Sequence, residues 1–404
     1  MRLLHVFQTL NPATGGPVEA FKQSLVHFLE RGWSIDVVSL DPPNAPFLAS
    51  DAARVHAIGP GRTGYGYSPS LVKWLKANAN AYDCVIVHGI WGFPTFGTWL
   101  ALRNSETPYM VVPHGMLDPW FKHAYPLKHV KKWLYYLFCV GPVLRDAAGV
   151  VFTCDVERVL ARKSFTPYRC NEVVIRFGTF GIPDPTHNYA GQFLARNPSL
   201  AGKRIFLFLG RVHPKKGPDL LLHAIHELQK SSKWDPTSMR LVIAGPSDGD
   251  YAKRLRNLAV SKNVQESVYW TGMLEGNEKW GAVQAAEAFV LPSHQENFGV
   301  AVAECLSAGV PVLITHSINI SPEIEADRAG LVEMDTISGC IRLLEQWIGL
   351  DPTTKLRMRQ QARQTFEQRY TSAGSAEDLG NAIEASVVCR RPRGLCSQFP
   401  AVRA

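Results

Sequence analysis

The chain has no Cys-x-x-Cys pair, no apolar run long enough to cross a bilayer, no short-period repeat and no continuous basic stripe. Its eight cysteines (Cys84, Cys139, Cys154, Cys170, Cys305, Cys340, Cys389 and Cys396) are scattered over 404 residues. That pattern reads as reduced, mostly buried thiols rather than a disulfide framework. The longest uncharged run of interest, Trp133 to Leu144, falls well short of the ~20 residues a spanning helix needs. The opening MRLLHVFQTLNP turns polar too soon for a signal segment and reads as a first strand. With no span and no leader expected, the sequon at Asn319 carries no weight. A cytoplasmic protein is the expectation.

What is present is an ordinary globular composition, 46% hydrophobic and 19% charged, in a length suited to two or three domains. The net charge of +8 favours anionic partners. Nucleic acid is discounted among them, because the basic residues form no stripe with interleaved readout groups.

Short apolar runs alternate with helical patterns throughout, which predicts parallel, doubly wound sheets. In the first half the strands fall at Leu3–Val6, Ile35–Ser39, Val55–Ile58, Cys84–His88, Tyr109–Pro113 and Val150–Thr153. A helix from Val18 to Arg31 stops at Gly32. In the second half the strands fall at Ile205–Leu209, Arg240–Ala244, Val268–Thr271, Ala288–Leu291 and Val310–Thr315. The predicted organisation is a first domain over 1–180, a second over 181–372, a closing helix over 373–388 and a basic, disordered tail over 389–404. A polar, proline-containing stretch from Gly181 to Asn197 reads as the connection.

The most informative stretch is AFVLPSHQENFGVAVAECLSAGVPVLIT, from Ala288 to Thr315. It reads as a buried strand, a polar loop carrying Glu296, a short helix carrying Glu304, a glycine stop at Gly309 and another strand. A loop that opens a helix after a parallel strand aims N–H groups and the positive helix end at the crevice above the sheet, which suits a diphosphate. The two carboxylates are poor phosphate ligands but good acceptors for sugar and ribose hydroxyls. A second such loop, Gly210–Gly217 (GRVHPKKG), sets Arg211 and Lys216 five apart, so that both cations can converge on one diphosphate. The loop TLNPATGGPVE carries Gly15 and Gly16 ahead of the first helix; close backbone approach to a ligand and a plain turn are both open there.

Other motifs weigh less. GPGRTG at Gly59–Gly64 matches GxGxxG without the strand–turn–helix context and reads as a loop. His88 reads as structural. Asp118 caps the next helix or, as the weaker alternative, orients an acceptor hydroxyl. The Asp-x-Asp of Ser247–Asp250 reads as a helix cap rather than a metal site. Trp120–Phe138 mixes lysines with aromatics, which fits either an anionic membrane surface or a core helix with its lysines in water.

Glu296 and Glu304 at this spacing, with Asn297, Phe298 and Gly299 following, resemble the Glu-x7-Glu signature of the retaining nucleotide-sugar glycosyltransferases of family 4. Arg211 and Lys216 resemble that family's Arg-x4-Lys pattern, and PHGMLDPW around His114 its Pro-His-Gly stretch. The resemblance spans nearly the whole chain. It implies the GT-B fold, two Rossmann-like domains facing across a cleft, with the donor held by the second. It also implies that Arg211 and Lys216 bind the donor diphosphate with N–H groups of Gly16 and Val300, and that Glu304 takes the ribose. Glu296 would hold the transferred sugar with Asn297, Phe298 and Gly299 beside it, His114 would contact that sugar, and Met273 and Leu274 would lie by the base. The implied co-substrate is a nucleotide diphosphate sugar with no metal or other cofactor. The implied acceptor is a glycan or lipid-linked glycan, which with the basic aromatic segment extends the expectation to the inner face of the cell membrane. An epimerase of the same fold and a non-catalytic nucleotide-sugar-binding subunit stay as alternatives.

Overall fold

The computed structural model describes residues 1–14, 16–48, 52–120, 122 and 126–388. Gly15 and the tail from Cys389 lie outside them, so the expectations placed there have no structural counterpart. The chain divides into two compact units. The first comprises 1–152, 162–175 and the segment from Ala376; the second comprises 153–161 and 176–375.

The first unit is built on a seven-stranded parallel sheet. Its strands are β1 (Arg2–Phe7), β2 (Ser34–Ser39), β3 (Arg54–Ala57), β4 (Cys84–His88), β5 (Tyr109–Val112), β6 (Gly149–Phe152) and β7 (Glu172–Val174), in the order β3-β2-β1-β4-β5-β6-β7. The second unit holds β8 (Arg204–Leu209), β9 (Met239–Ala244), β10 (Val268–Gly272), β11 (Ala288–Leu291), β12 (Val312–Thr315) and β13 (Gly330–Glu333), ordered β10-β9-β8-β11-β12-β13. Both sheets therefore reverse direction once, between β1 and β4 and between β8 and β11. Loops leaving the strand ends at such a reversal diverge and open a crevice.

The central strands are buried on both faces, as parallel strands covered by helices must be, and so read as unbroken apolar runs. Every residue of β11 is buried. Beside it, Phe206 and Phe208 of β8 pack with Trp234 and Trp347 in the core of the second unit. In the first unit Ala376, Leu379 and Ile383 of the last helix, Ser372–Val388, join Leu3, Phe28 and Ile86 in one cluster. The helix Gly16–Glu30 ends where expected. Gly32, at φ +73°, donates to Leu29 and Trp33 donates to Phe28, the paired bonds of a Schellman stop.

Three readings need correction. The stretch Gly181–Asn197 is not a bare connection. It contains a helix, Tyr189–Arg196, capped by the Asn188 side chain, with Tyr189 and Phe193 buried in the second unit. Two strands, β7 and β13, were not anticipated; both are short, half-exposed edge strands without an apolar run to announce them. The helix at Asp250–Ser261 is capped by Gly249 with no side-chain cap bond, so neither aspartate there is its cap.

Two loops of the second unit are held together at the switch point. The His294 N–H donates to the Lys215 carbonyl at 2.9 Å. Gly217, at φ +63°, sits so close to Pro292 that an added Cβ would stand 2.3 Å from its carbonyl oxygen. Gly217→Ala therefore combines a left-handed backbone with a collision against rigid main chain. It should cost on the order of 2 kcal/mol or more, read as a lowered urea midpoint; an unchanged midpoint would show that the two loops do not depend on this contact.

Candidate functional site

In the second unit the switch point brings together residues far apart in sequence. Strand β8 delivers the loop Gly210–Gly217 and its neighbour β11 delivers the loop with Glu296. Lys216 and Glu296, 80 residues apart, form an ion pair there. Glu296 is fixed on its main chain as well: its N–H donates to Ser317 at 3.0 Å and its carbonyl accepts from Asn319 at 3.1 Å. The helix Val300–Ser307 then starts at Gly299, which is left-handed at φ +78°. Val302 and Ala303 bond back to the Gly299 carbonyl, so Val300 and Ala301 supply the N–H groups this helix end leaves over. Val310 donates to Cys305 and Gly309 to Leu306, closing the helix in a second Schellman stop.

Glu304, inside this helix, accepts a hydrogen bond from Lys279 at 2.8 Å. Lys279 belongs to the helix Gly276–Ala285 and lies over the Trp280 ring. Sequence reading missed it, because a single lysine on a helix carries no signal of its own. Both acids thus already have a cation. Arg211, in the same loop as Lys216, is exposed, so this loop carries a further cation that a ligand can reach. His213 accepts from the Lys215 N–H through Nδ1. Partial burial, then Arg211, Lys215 and Lys216, lowers its pKa and favours that neutral form.

Not every expected residue presents its side chain to this cluster. The Phe298 ring is buried between Phe177 and Tyr370, at 4.7 and 5.4 Å between centroids, so it supports the loop from within the core. The Asn297 amide donates to Thr153 and accepts from Asn319, while Thr153 in turn donates to buried Glu157 at 2.7 Å. Asn297 is thereby a brace for Glu296 rather than a free contact. After β10, Leu274 is buried and Met273 is exposed, so only the second offers its side chain.

In the first unit Gly16 opens the first helix, and a Cβ there would meet nothing within 4 Å. Packing does not demand glycine at that position. Asp118 accepts from the Trp120 N–H at 2.7 Å, a bond of the helix-capping kind expected there. His114 ends a row. His5 Nδ1 lies 3.0 Å from His88 Nε2, and His88 Nδ1 lies 3.0 Å from His114 Nε2. Strand register explains the row: His5 pairs with Ile86, two residues before His88, and His88 pairs with Val112, two before His114. A step of two keeps His5 and His88 on one face of the sheet, and the chain just past β5 brings His114 to the end of the row. Phe7 stacks on His88 at 4.0 Å. Lost hydration pushes the pKa of His5 down to about 3 and that of His114 down to about 4, and lowers that of His88 with help from its two neighbours.

Two family models match the chain: a glycosyl transferase 4-like domain over residues 15–178 and glycosyl transferases group 1 over 192–365. The chain belongs to the group 1 glycosyl transferases. It is 26% identical over 382 residues to the GDP-mannose:cellobiosyl-diphosphopolyprenol alpha-mannosyltransferase of Xanthomonas campestris, covering 92% of this chain and 93% of the relative. It is also 26% identical over 391 residues to the D-rhamnosyltransferase WbpZ of Pseudomonas aeruginosa, covering 92% and 93%. Among solved structures it resembles sucrose-phosphate synthase of Thermosynechococcus elongatus, with a TM-score of 0.76, 17% identity and 95% and 98% of the two chains covered. Anabaena HepE in complex with UDP and glucose gives a TM-score of 0.72, 15% identity and 95% and 100% coverage. The fold of this group 1 enzyme is GT-B, two doubly wound α/β domains in series.

The histidine row predicts how the glycosyltransferase responds to acid. The unfolded chain protonates these imidazoles near the ordinary value of 6.5, whereas folding holds them neutral. The unfolded state then binds more protons as pH falls below 6.5, and stability should decline from there towards 3. Paired carboxylates such as Glu287, held down to about 2, add their own loss only below their ordinary 4.5. Urea unfolding between pH 6.5 and 4.5 should therefore show a falling free energy that is shallower in His5→Asn. A flat wild-type profile over that interval would show that the row is not held neutral.

Proposed function

We propose that this group 1 enzyme is a retaining hexosyltransferase that takes its sugar from GDP-mannose or a UDP-sugar. The acceptor in this reading is a glycan or lipid-linked glycan in polysaccharide synthesis. The observation that carries it is the Lys216–Glu296 ion pair joining the β8 and β11 loops at the switch point, with Lys279 paired to Glu304 in the helix that follows. A diphosphate needs the cations and N–H groups, and sugar and ribose hydroxyls need the carboxylates. Related proteins lend support: the Xanthomonas relative is named for a GDP-mannose donor and a diphosphopolyprenol-linked acceptor.

In this mechanism Arg211, Lys216 and the N–H groups of Gly16 and Val300 hold the diphosphate. Glu304, oriented by Lys279, accepts from the ribose hydroxyls. Glu296 accepts from the hexose and fixes its ring; the Gly299 turn leaves room beside it, and Met273 lies by the base. His114 is the first unit's contact to the transferred sugar. The acceptor oxygen attacks the anomeric carbon on the face the phosphate leaves. Its proton passes to the departing phosphate oxygen, so configuration is retained without an enzyme nucleophile. Negative charge growing on the β-phosphate is met by the two fixed cations, a role other transferases give to a metal ion.

Lys216→Ala should lower turnover by roughly 100-fold or more, the scale of one lost preorganised charge contact. Glu304→Ala and Lys279→Ala should instead raise the donor KM, roughly tenfold for one hydrogen bond lost. The assay is nucleoside diphosphate release over a panel of nucleotide sugars, repeated with EDTA, with the product anomer read by NMR. Sugar interconversion without acceptor would favour an epimerase, binding without turnover a non-catalytic binding subunit, and an inverted anomer would end the retaining mechanism.

The membrane part of the reading rests on one helix. None of Pro126–Tyr135 is buried. Leu127, Val130, Leu134 and, just beyond it, Phe138 lie along one exposed side, at 84%, 58%, 50% and 73%. Lys128 and Lys131 flank them, and Lys132 lies over Trp91. Beneath the helix, Trp91, Met116, Lys132 and Phe165 line a small pocket. An outward apolar stripe edged by lysines fits the headgroup region of an anionic leaflet. No described helix is long and apolar enough to cross a membrane, so the association would be peripheral, on the cytoplasmic side. Vesicles containing phosphatidylglycerol should sediment the protein, and Leu134→Ser with Lys131→Glu should release it. Equal retention on neutral vesicles would remove the electrostatic part.

A further inference from the structure

The row of three histidines does more than place His114. Three neutral imidazoles carry three N–H groups and three lone pairs, and the two bonds of the row use two of each. One N–H and one lone pair are left for the two ends, His5 Nε2 and His114 Nδ1. The inner end decides the direction. His5 is 1% exposed, and its Nε2 has no hydrogen-bond partner among the described residues. The nearest ring, Phe21 at 4.7 Å, is at best a weak acceptor. A buried N–H without an acceptor is the rarer of the two orphans, so the lone pair faces inward. His5 then donates through Nδ1 to His88, His88 donates through Nδ1 to His114 Nε2, and the remaining N–H emerges on His114 Nδ1.

We infer that His5 and His88 are positioning residues that hold His114 in one tautomer, a neutral imidazole offering Nδ1–H to an acceptor oxygen on the ligand. An extra proton on the row would force an N–H onto His5 Nε2 as well as a charge into a water-poor sheet. Both effects oppose an imidazolium. His114 therefore serves as a neutral hydrogen-bond donor and not as a proton-accepting base. The backbone agrees with a fixed ring: His114 stands at φ +53°, uncommon for a residue with a side chain, just past β5 and ahead of Gly115 at φ +75°. A sugar hydroxyl or a phosphate oxygen both match a neutral N–H. The catalytic consequence, though not the tautomer, rests on the reading of His114 as the contact to the transferred sugar.

Histidine-selective 15N labelling of the full chain tests this, with the His114 signals assigned by their loss in His114→Gln. From pH 8 to 6 the expected pattern is a protonated, pyrrole-type Nδ1 and a bare, pyridine-type Nε2. A bare Nδ1, or protons on both nitrogens below pH 7, overturns the inference. His5→Leu, which cannot donate to His88, should mix the tautomers of His114 and lower turnover roughly tenfold, about what one hydrogen bond is worth. His5→Asn, whose amide can stand in for Nδ1–H, should keep both near wild type; a His5→Leu protein with an unmixed His114 spectrum would also overturn it. The spectra of the unmodified protein decide the tautomer even if no nucleotide sugar is turned over, so failure of the transferase reading is told apart from failure of the row.

Discussion

The pairing of β8 with β11 is the constraint on which the second unit's chemistry depends. Neither Lys216 nor Glu296 has a local reason to meet the other across 80 residues. They meet because the chain runs outward from β8 to β10 and then returns to lay β11 on the opposite side of β8. That return leaves two loops side by side above the sheet with no strand between them. Everything else at the site trims this arrangement. Gly217 allows the close approach to Pro292, the His294 N–H ties the loops, and the Asn297–Thr153 bond holds the glutamate's neighbour.

The same topology, used again in the first unit, gives a different device. There the strand ends carry imidazoles instead of charges, and the register offsets each by two residues from the last. A charged group in that row would carry a desolvation penalty with no counter-ion beside it, whereas neutral rings pass a hydrogen bond from strand to strand. The second unit does the reverse. Its cations and carboxylates keep partial contact with water and pair with each other, the condition under which ions at a protein surface persist. One fold thus holds both a neutral donor row and an ionic cluster, and the difference lies in whether each strand end carries groups of opposite charge to pair.

How much of this was legible follows from the same physics. Central strands announce themselves because burial on both faces makes them apolar from end to end, and β4 and β11 match their expected limits residue for residue. Edge strands β7 and β13 are half wet and three and four residues long, so their sequences look like loop. The helix Tyr189–Arg196 was hidden by its polar flanks, although Asn188 ahead of it is a capping residue. In the candidate site, Arg211, Lys216, Glu296 and Glu304 could be singled out from sequence because each pair sits within one loop or one loop and helix, where spacing alone limits geometry. Lys279 and His5 were not. Their partners lie 25 and 83 residues away, and only the register of strands or the packing of a helix brings them together.

Phe298 shows why proximity in sequence is a weak guide to role. It stands two residues from Glu296 and was expected beside the sugar, yet its ring packs against Phe177 and Tyr370. A loop that must hold a carboxylate still needs an anchor, and an aromatic ring buried on one side is a strong one. Glu296 itself bridges to Ile318 on the other side. The carboxylate is therefore set by apolar burial at Phe298, by main-chain bonds to Ser317 and Asn319, and by the cation of Lys216. Only the last of these can be given up without unmaking the fold, so in the proposed mechanism the pairing with Lys216 is where binding and structure meet.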